Sequence, residues 1–283
     1  MRRLALYPLS PCGRGRSPEG AEGQGSVAKR RRRRRPLSQP SPARGEGFGW
    51  QLLLPVLVLA MAVPAHARSV DQRIAAYKHR VDLLEAQNAV EDLQATYGYY
   101  FDKGLWNEAA ALFAPSGSFE YGQRGVYIGQ ARISRAMLLF GPQGLAAGHL
   151  NNHMMLQPIV TVADDGMSAK GRWQGMVMLA EPGQNGVWGI GVYENEYVKQ
   201  RGVWKIASLH FYVTAETDYD AGWLKSAIPM EGPSALFPPD RPPSEVYRAF
   251  PGVYIPPFDY KHPVTGKSLA DIPQPPDDVV GRK

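Results

Sequence analysis

Residues 153–215 read HMMLQPIVTVADDGMSAKGRWQGMVMLAEPGQNGVWGIGVYENEYVKQRGVWKIASLHFYVTA. Runs rich in β-branched and aromatic residues alternate here with short turn signals, Asp164-Asp165-Gly166 and Arg201-Gly202. That pattern predicts four strands, His153–Ala163, Ala169–Ala180, Val187–Gln200 and Trp204–Ala215. Connections this short join antiparallel neighbours.

Upstream, the period changes. From Asp71 to Asp102 the apolar residues Ile74, Tyr77, Val81, Leu84, Val90, Leu93 and Tyr97 recur at mostly helical spacing. Gly98 interrupts this helix at a cost of about 1 kcal/mol relative to alanine. Gly104 is a stop, and Asn107 an N-cap for a second helix over Glu108–Phe113. A third helix is expected over Gln130–Phe140, ended by Gly141-Pro142, with short strands at Ser118–Tyr121 and Val126–Ile128. Helices first and then a run of strands give an α+β class. Three N-terminal helices are expected to pack on one face of a curved, mainly antiparallel sheet and to enclose a pocket, within residues 70–216.

The flanks differ in kind. Residues 1–67 carry 12 Lys and Arg, including the run Lys29–Arg35, against three Glu. The rest carries 20 Lys and Arg against 23 Asp and Glu, a net charge of −3. The basic character of the whole chain, +6, therefore belongs to its first 67 residues and argues for no nucleic-acid partner. Leu52–Val63 is an apolar core followed by Ala65-His66-Ala67, a small-x-small cleavage pattern. Residues 49–67 are read as a signal peptide, too short to span a membrane, with an uncleaved anchor as the alternative. The expected location is outside the cytoplasm, in a bacterial periplasm. Residues 1–48 are low-complexity Pro/Arg/Gly/Ser sequence with no means of building a core, read as a disordered leader from a start codon placed too early. Finding them in the cellular protein by N-terminal sequencing would contradict that. Cys12, the single cysteine, lies in this stretch, so a mature chain has no disulfide, thiol nucleophile or thiolate metal ligand.

Beyond 217 the sequence becomes proline-rich. Residues 218–283 hold 13 of the 25 prolines, which exclude a helix or central strand. The same segment holds Trp223, Phe237, Tyr247, Phe250, Tyr254, Phe258 and Tyr260, more rings than a free linker carries. It is read as an extended arm on the domain or on a partner subunit, frayed over 271–283.

A family resemblance rests on several of these residues. Tyr97-x4-Asp102, Trp106, Ala111-Leu112-Phe113-Ala114 and Gly125-x-Tyr127-x-Gly129 resemble the opening of the SnoaL-like branch of the nuclear transport factor 2-like superfamily. His153-x-Met155-x-Gln157-Pro158-x-Val160 is similar to its histidine-bearing strand, and Trp204-Lys205-Ile206 before His210 to its closing strand. The resemblance covers about 75–215 and implies a cone-shaped α+β barrel. The superfamily includes scytalone dehydratase, bile-acid dehydratases, ketosteroid isomerase and polyketide cyclases, together with non-enzymatic binding and assembly domains. Carried over residue by residue, its dehydratase site implies Tyr97, Asp102 and His153 as the catalytic set. Tyr99, Tyr100, Trp106 and His210 are candidate substrate-binding residues. The resemblance also implies a homodimer or trimer.

The chemistry suits those residue types. A β-hydroxy carbonyl compound loses water when a base takes the α-proton and an acid assists the leaving hydroxide. Neutral histidine is a fitting base, a carboxylate can orient it, and a tyrosine hydroxyl can polarise the carbonyl. Each residue has a plainer reading as well. Tyr97 sits on the apolar stripe as a core tyrosine would. Asp102 lies about 140–150° round an ideal helix from Tyr97, so the two share a pocket only if the helix ends there; otherwise Asp102 caps the following turn. His153 can be a satisfied core histidine. His210 shares strand parity with Trp204, Ile206, Ser208 and Tyr212, so if Trp204 faces the core His210 does too, as a second pocket histidine or a buried one. Residues 169–180 contain no His or Asp, a departure from dehydratases that carry a further partner there.

Other chemistries find little support. His149-x3-His153 has the spacing of a helical metal pair, but Gly148 and Asn151-Asn152 read as loop and no Glu stands at 150. Gly189-x-Gly191 lacks a third glycine and a following helix. A Gly-x-Ser-x-Gly elbow is absent. The sequence therefore predicts no metal and no cofactor, and a hydrophobic small molecule as substrate or ligand. Two functions fit: a cofactor-independent, dehydratase-like lyase or isomerase acting on a hydrophobic cyclic carbonyl compound, or a non-catalytic exported binding or assembly protein of the same fold.

Overall fold

The computed structural model describes residues 69–269 and 271–275. The leader, the signal peptide, Cys12 and residues 276–283 lie outside them. All described residues belong to the unit Pro64–Lys283, and the other unit, Met1–Val63, lies wholly outside them. Among the described residues, no helix is long and apolar enough to cross a membrane.

Helix α1 spans Val70–Asp102. Its start is a capping box, in which Ser69 Oγ accepts from the Gln72 N–H at 3.2 Å and Gln72 Oε1 accepts from the Ser69 N–H at 3.0 Å. The apolar stripe divides into two parts. Ile74, Tyr77, Val81 and Leu84 are exposed, and continuous burial begins only at Ala86 and Val90. The first half thus extends past the sheet, where nothing in the described chain covers it. Gly98 lets the second half lie close to the sheet, since a Cβ there would stand 3.3 Å from the Met155 side chain. Its helix-propensity cost is offset by this packing.

Helix α2, Trp106–Ala111, begins two residues earlier than the sequence suggests. Asn107 is not its cap. The cap position is Leu105, and Asn107 Oδ1 instead accepts from Ser134 Oγ at 2.8 Å. Strand β1, Phe113–Tyr121, takes over Phe113, which the sequence places in the helix, because its ring is wholly buried in the core. Strand β2 is Val126–Ile128, and α3, Gln130–Met137, runs on into a 3-10 turn, Leu138–Phe140. Strands β3 (Leu150–Val162), β4 (Ser168–Glu181), β5 (Asn185–Gln200) and β6 (Val203–Asp218) follow.

These six strands form one curved sheet in the order β2-β1-β6-β5-β4-β3, antiparallel except for β1 beside β6. The fold is α+β, as the order of elements predicts. The β5–β6 turn is tight because Arg201 and Gly202 both adopt positive φ, 52° and 81°.

The inner face carries the core. Tyr97 of α1 packs on Phe101 and on Phe113 of β1, Phe113 on Phe119, and Phe211 of β6 on Tyr121 of β1 and Tyr193 of β5. These rings are buried between the helices and the sheet. Glycines on the inner face make room for them: a Cβ on Gly191 would meet the Phe211 ring and stand 2.5 Å from the Tyr212 carbonyl oxygen.

The outer face is covered by the proline-rich arm, which lies on its own domain. Ser244 donates from its N–H and its Oγ to the Glu120 carboxylate at 2.8 and 2.7 Å. Tyr247 OH accepts from the Val213 N–H at 2.9 Å, and Tyr127 OH donates to the Phe237 carbonyl at 2.8 Å. Phe258 lies 4.2 Å from the Arg172 guanidinium.

Candidate functional site

Helix α1 ends at Asp102, with Lys103 as its cap and Gly104 at φ 64°. Stopping there turns the Asp102 carboxylate inward, so Tyr97 and Asp102 are both buried despite their angular separation. Strand β3 passes beside this end. Asn151 Nδ2 donates to the Phe101 carbonyl at 2.9 Å, and the His153 N–H donates to Asp102 Oδ1 at 2.6 Å. The His153 ring lies edge-on to Phe101 with centroids 4.6 Å apart. Its Nδ1 stands 3.7 Å from Asp102 Oδ1, beyond hydrogen-bond length, and is buried without a partner. A donor or acceptor left in that state costs about 1–3 kcal/mol.

Burial favours neutral imidazole and lowers the His153 pKa, with Asp102 opposing. Burial raises that of Tyr97, with the Tyr193, Tyr121 and Tyr197 hydroxyls adding to the effect, so Tyr97 stays a phenol. A neutral imidazole with the Asp102 side chain beside it lies at the end of α1, and the Tyr97 phenol is buried five residues earlier on the same helix.

The remaining sequence candidates go elsewhere. Tyr99 is 73% exposed, because two residues beyond Tyr97 is the opposite side of the helix. Tyr100 packs partly against the core. Trp106 is buried edge-on to Phe101, and its Nε1–H donates to the Gly141 and Pro142 carbonyls at 3.0 and 3.1 Å, fastening the 141–144 segment. His149 lies at the sheet's end, 3.8 Å from Glu181, while His153 points into the core, so the pair does not converge.

His210 is on the other face. The β5–β6 register shifts between Glu196 and Tyr197, paired with Ser208 and Ile206, which leaves Ala207 as an extra residue on β6. A bulge of this kind reverses strand parity. Ile206 faces the core, and beyond the bulge so do Leu209 and Phe211, which turns His210 outward under the arm. There Glu120, His210, Glu194 and Arg172 are cross-strand neighbours in one row. His210 Nδ1 is 3.5 Å from Glu120 Oε2, the ring stacks on Tyr212 at 3.7 Å, and Arg172 pairs with Glu194.

Burial lowers the His210 pKa to about 3. The unfolded side chain titrates near 6.5, so its contribution to stability is complete above that value. It is lost as pH falls towards 3. Glu194, which burial raises to about 8 against the opposing pull of Arg172, acts in the other sense and is lost as pH rises through 8. Between pH 7 and 5 the histidine should cost the wild type about 2 kcal/mol relative to a His210→Gln variant. Urea unfolding midpoints of both proteins at the two pH values measure this; parallel changes would contradict it.

Two features escape the sequence reading. Tyr193 of β5 faces the site, and burial together with the Asp102 carboxylate raises its pKa. Gln94, Asn195 and Tyr197 form a closed polar network: Gln94 Oε1 accepts from Asn195 Nδ2 at 3.0 Å and from Tyr197 OH at 2.8 Å. Gln94 precedes Tyr97 by three residues on the buried stripe, and that position was the available signal. The inward residues of β4 include Ala169, Gly171, Trp173, Gly175 and Val177, so that strand brings no proton-transfer group to the site.

A long helix laid across a curved, unclosed sheet, with polar groups buried at the helix end, defines the cone-type α+β class. Residues 82–210 match the family model of the SnoaL-like domain, and this part of the chain is a SnoaL-like domain of nuclear transport factor 2-like fold. No curated protein matches the chain. Among solved structures, the hexachlorocyclohexane dehydrochlorinase LinA Type2 is 19% identical, over 49% of this chain and 92% of its own, at a TM-score of 0.43. An ntf2-like protein with a cystatin-like fold from Novosphingobium aromaticivorans is 19% identical, over 51% and 90%, at 0.40. ActVI-ORFA from Streptomyces coelicolor is 16% identical, over 45% and 96%, at 0.39.

Proposed function

We propose that the SnoaL-like domain is a cofactor-independent lyase or isomerase of the dehydratase type, acting on a hydrophobic cyclic carbonyl compound. One observation carries this reading: the buried His153 imidazole, its Nδ1 unpaired, beside the Asp102 carboxylate. His153 takes the α-proton as the neutral base. The C–H electron pair forms the new double bond as the C–O bond breaks, and the His153 imidazolium gives its proton to the departing β-hydroxyl, so that water leaves and the neutral base is restored. Asp102 stabilises the imidazolium that results, and Tyr97 donates to the carbonyl oxygen where charge develops. Tyr193 is a further hydroxyl within reach of this charge.

A substrate must pass the rings packed around His153, of which Phe101 is the nearest. Phe140 packs against Phe101, Tyr121 and Phe119, and it borders the segment that Trp106 fastens. Movement of Phe140 and residues 141–148 is the route of entry. That the inward residues of β4 bring no proton-transfer group favours a second reading, a non-catalytic exported binding or assembly protein of the same fold. We place either protein outside the cytoplasm, on the strength of residues 52–67, and expect a homodimer or trimer.

The test is a panel of cyclic β-hydroxy carbonyl compounds incubated with the purified protein without added cofactor, with loss of one water followed by mass spectrometry. Turnover of at least one member is expected. A panel without turnover, joined to a ligand retained in native mass spectrometry, would favour the binding reading.

A further inference from the structure

An apolar cleft opens on the outer face of β4, β5 and β6, with a volume of about 810 Å³. That is within the range of about 300–1,000 Å³ typical of small-molecule sites. It lies across the sheet from His153, since Met176 of its lining adjoins Val177, the cross-strand partner of His153. Its floor is the cross-strand row Met176, Ile190 and Ala215. Trp188, stacked on Tyr219 at 6.0 Å, forms one side. Trp223 and Phe250 of the arm, 61% and 41% exposed, form the other.

The polar groups of this lining are mostly spent. Thr217 Oγ1 donates to the Ser226 carbonyl at 3.0 Å, and the Thr214 carbonyl accepts from the Phe250 N–H at 2.8 Å. One charge remains. Lys225 stands at the rim and forms no ion pair among the described residues. Large exposed rings over an apolar floor are costly unless something covers them. The single ammonium fixes the sign of the charge that suits the rim.

We propose that this cleft binds an amphipathic anion: one apolar chain or ring system lying on Met176, Ile190 and Trp188 under Trp223, with one carboxylate or phosphate head on Lys225. The site is independent of the His153 reading. It is built from the sheet's outer face and the arm, and its ligand never enters the interior. The arm that closes it follows the SnoaL-like domain in sequence, so the site is a property of this chain's extension.

Isothermal titration of the purified protein with dodecanoate, dodecyl phosphate and dodecanol tests it. One equivalent of each anion is expected to bind, and the alcohol about fivefold more weakly, the worth of one partly exposed charge pair. Comparison of the two anions identifies the preferred head. Lys225→Glu should reverse the preference between anion and alcohol. Trp223→Ala, which removes an exposed ring and leaves the fold intact, should weaken all three ligands. Three results would each overturn the proposal: no saturable binding, equal binding of anion and alcohol in wild type and Lys225→Glu, or a dimer that Trp223→Ala dissociates, which would make a second copy the occupant.

Discussion

Replacing His153 with glutamine is expected to lower turnover of a β-hydroxy carbonyl substrate by about 10²–10⁴-fold, the usual worth of a positioned general base. Glutamine nearly keeps the volume beside Phe101 and still offers a polar group to Asp102, but it cannot accept a proton at neutral pH. His153→Ala should lose as much activity and some stability besides, because it leaves a cavity against the Phe101 ring. Comparing the two separates chemistry from packing. Circular dichroism of both variants establishes that they fold, and initial rates then give the effect. Either variant turning over at the wild-type rate would remove His153 from the mechanism.

The largest effect on stability is expected from Gly191→Val. A Cβ at this position meets the Phe211 ring and the Tyr212 carbonyl, and neither neighbour has room to yield. Phe211 is packed against Tyr121 and Tyr193, with centroids 4.8 and 4.5 Å away. Overpacking of this kind costs about 3 kcal/mol or more, a fall in Tm of about 6–12 °C for a domain of this size. Phe211→Leu in the same chain should recover part of the loss, since the two sites share one space. Thermal unfolding of the three proteins measures this, and an unchanged midpoint for Gly191→Val would show that the ring lies elsewhere.

That glycine illustrates what the sequence could convey. The turn residues Arg201-Gly202 and Asp164-Asp165-Gly166 mark hairpins by local backbone preference, and the strands on either side follow at once. Gly104 marks the end of α1 in the same local way, and from that end the convergence of Asp102 with His153 could be anticipated. The failures come from contacts distant in sequence. Phe113 leaves its helix for a strand because the core needs its ring. Ile74 and Val81 have the spacing of a buried face, yet they lie past the sheet that would bury them. His210 misleads most. Its parity with Trp204 is correct on paper, but one extra residue at Ala207 turns it to the other face, and no residue type at that position announces a bulge. Gly191, unremarkable in a strand pattern, is explained only by a ring twenty residues later.

The central claim is that His153 removes a proton from carbon inside the SnoaL-like domain. Exchange at the α-carbon of an unreactive cyclic ketone in deuterium oxide tests this without requiring the right leaving group. Wild-type protein should catalyse deuterium incorporation, followed by proton NMR, and His153→Gln should reduce it to the uncatalysed rate. Incorporation at one rate with wild type, with the variant and with no protein would contradict the claim.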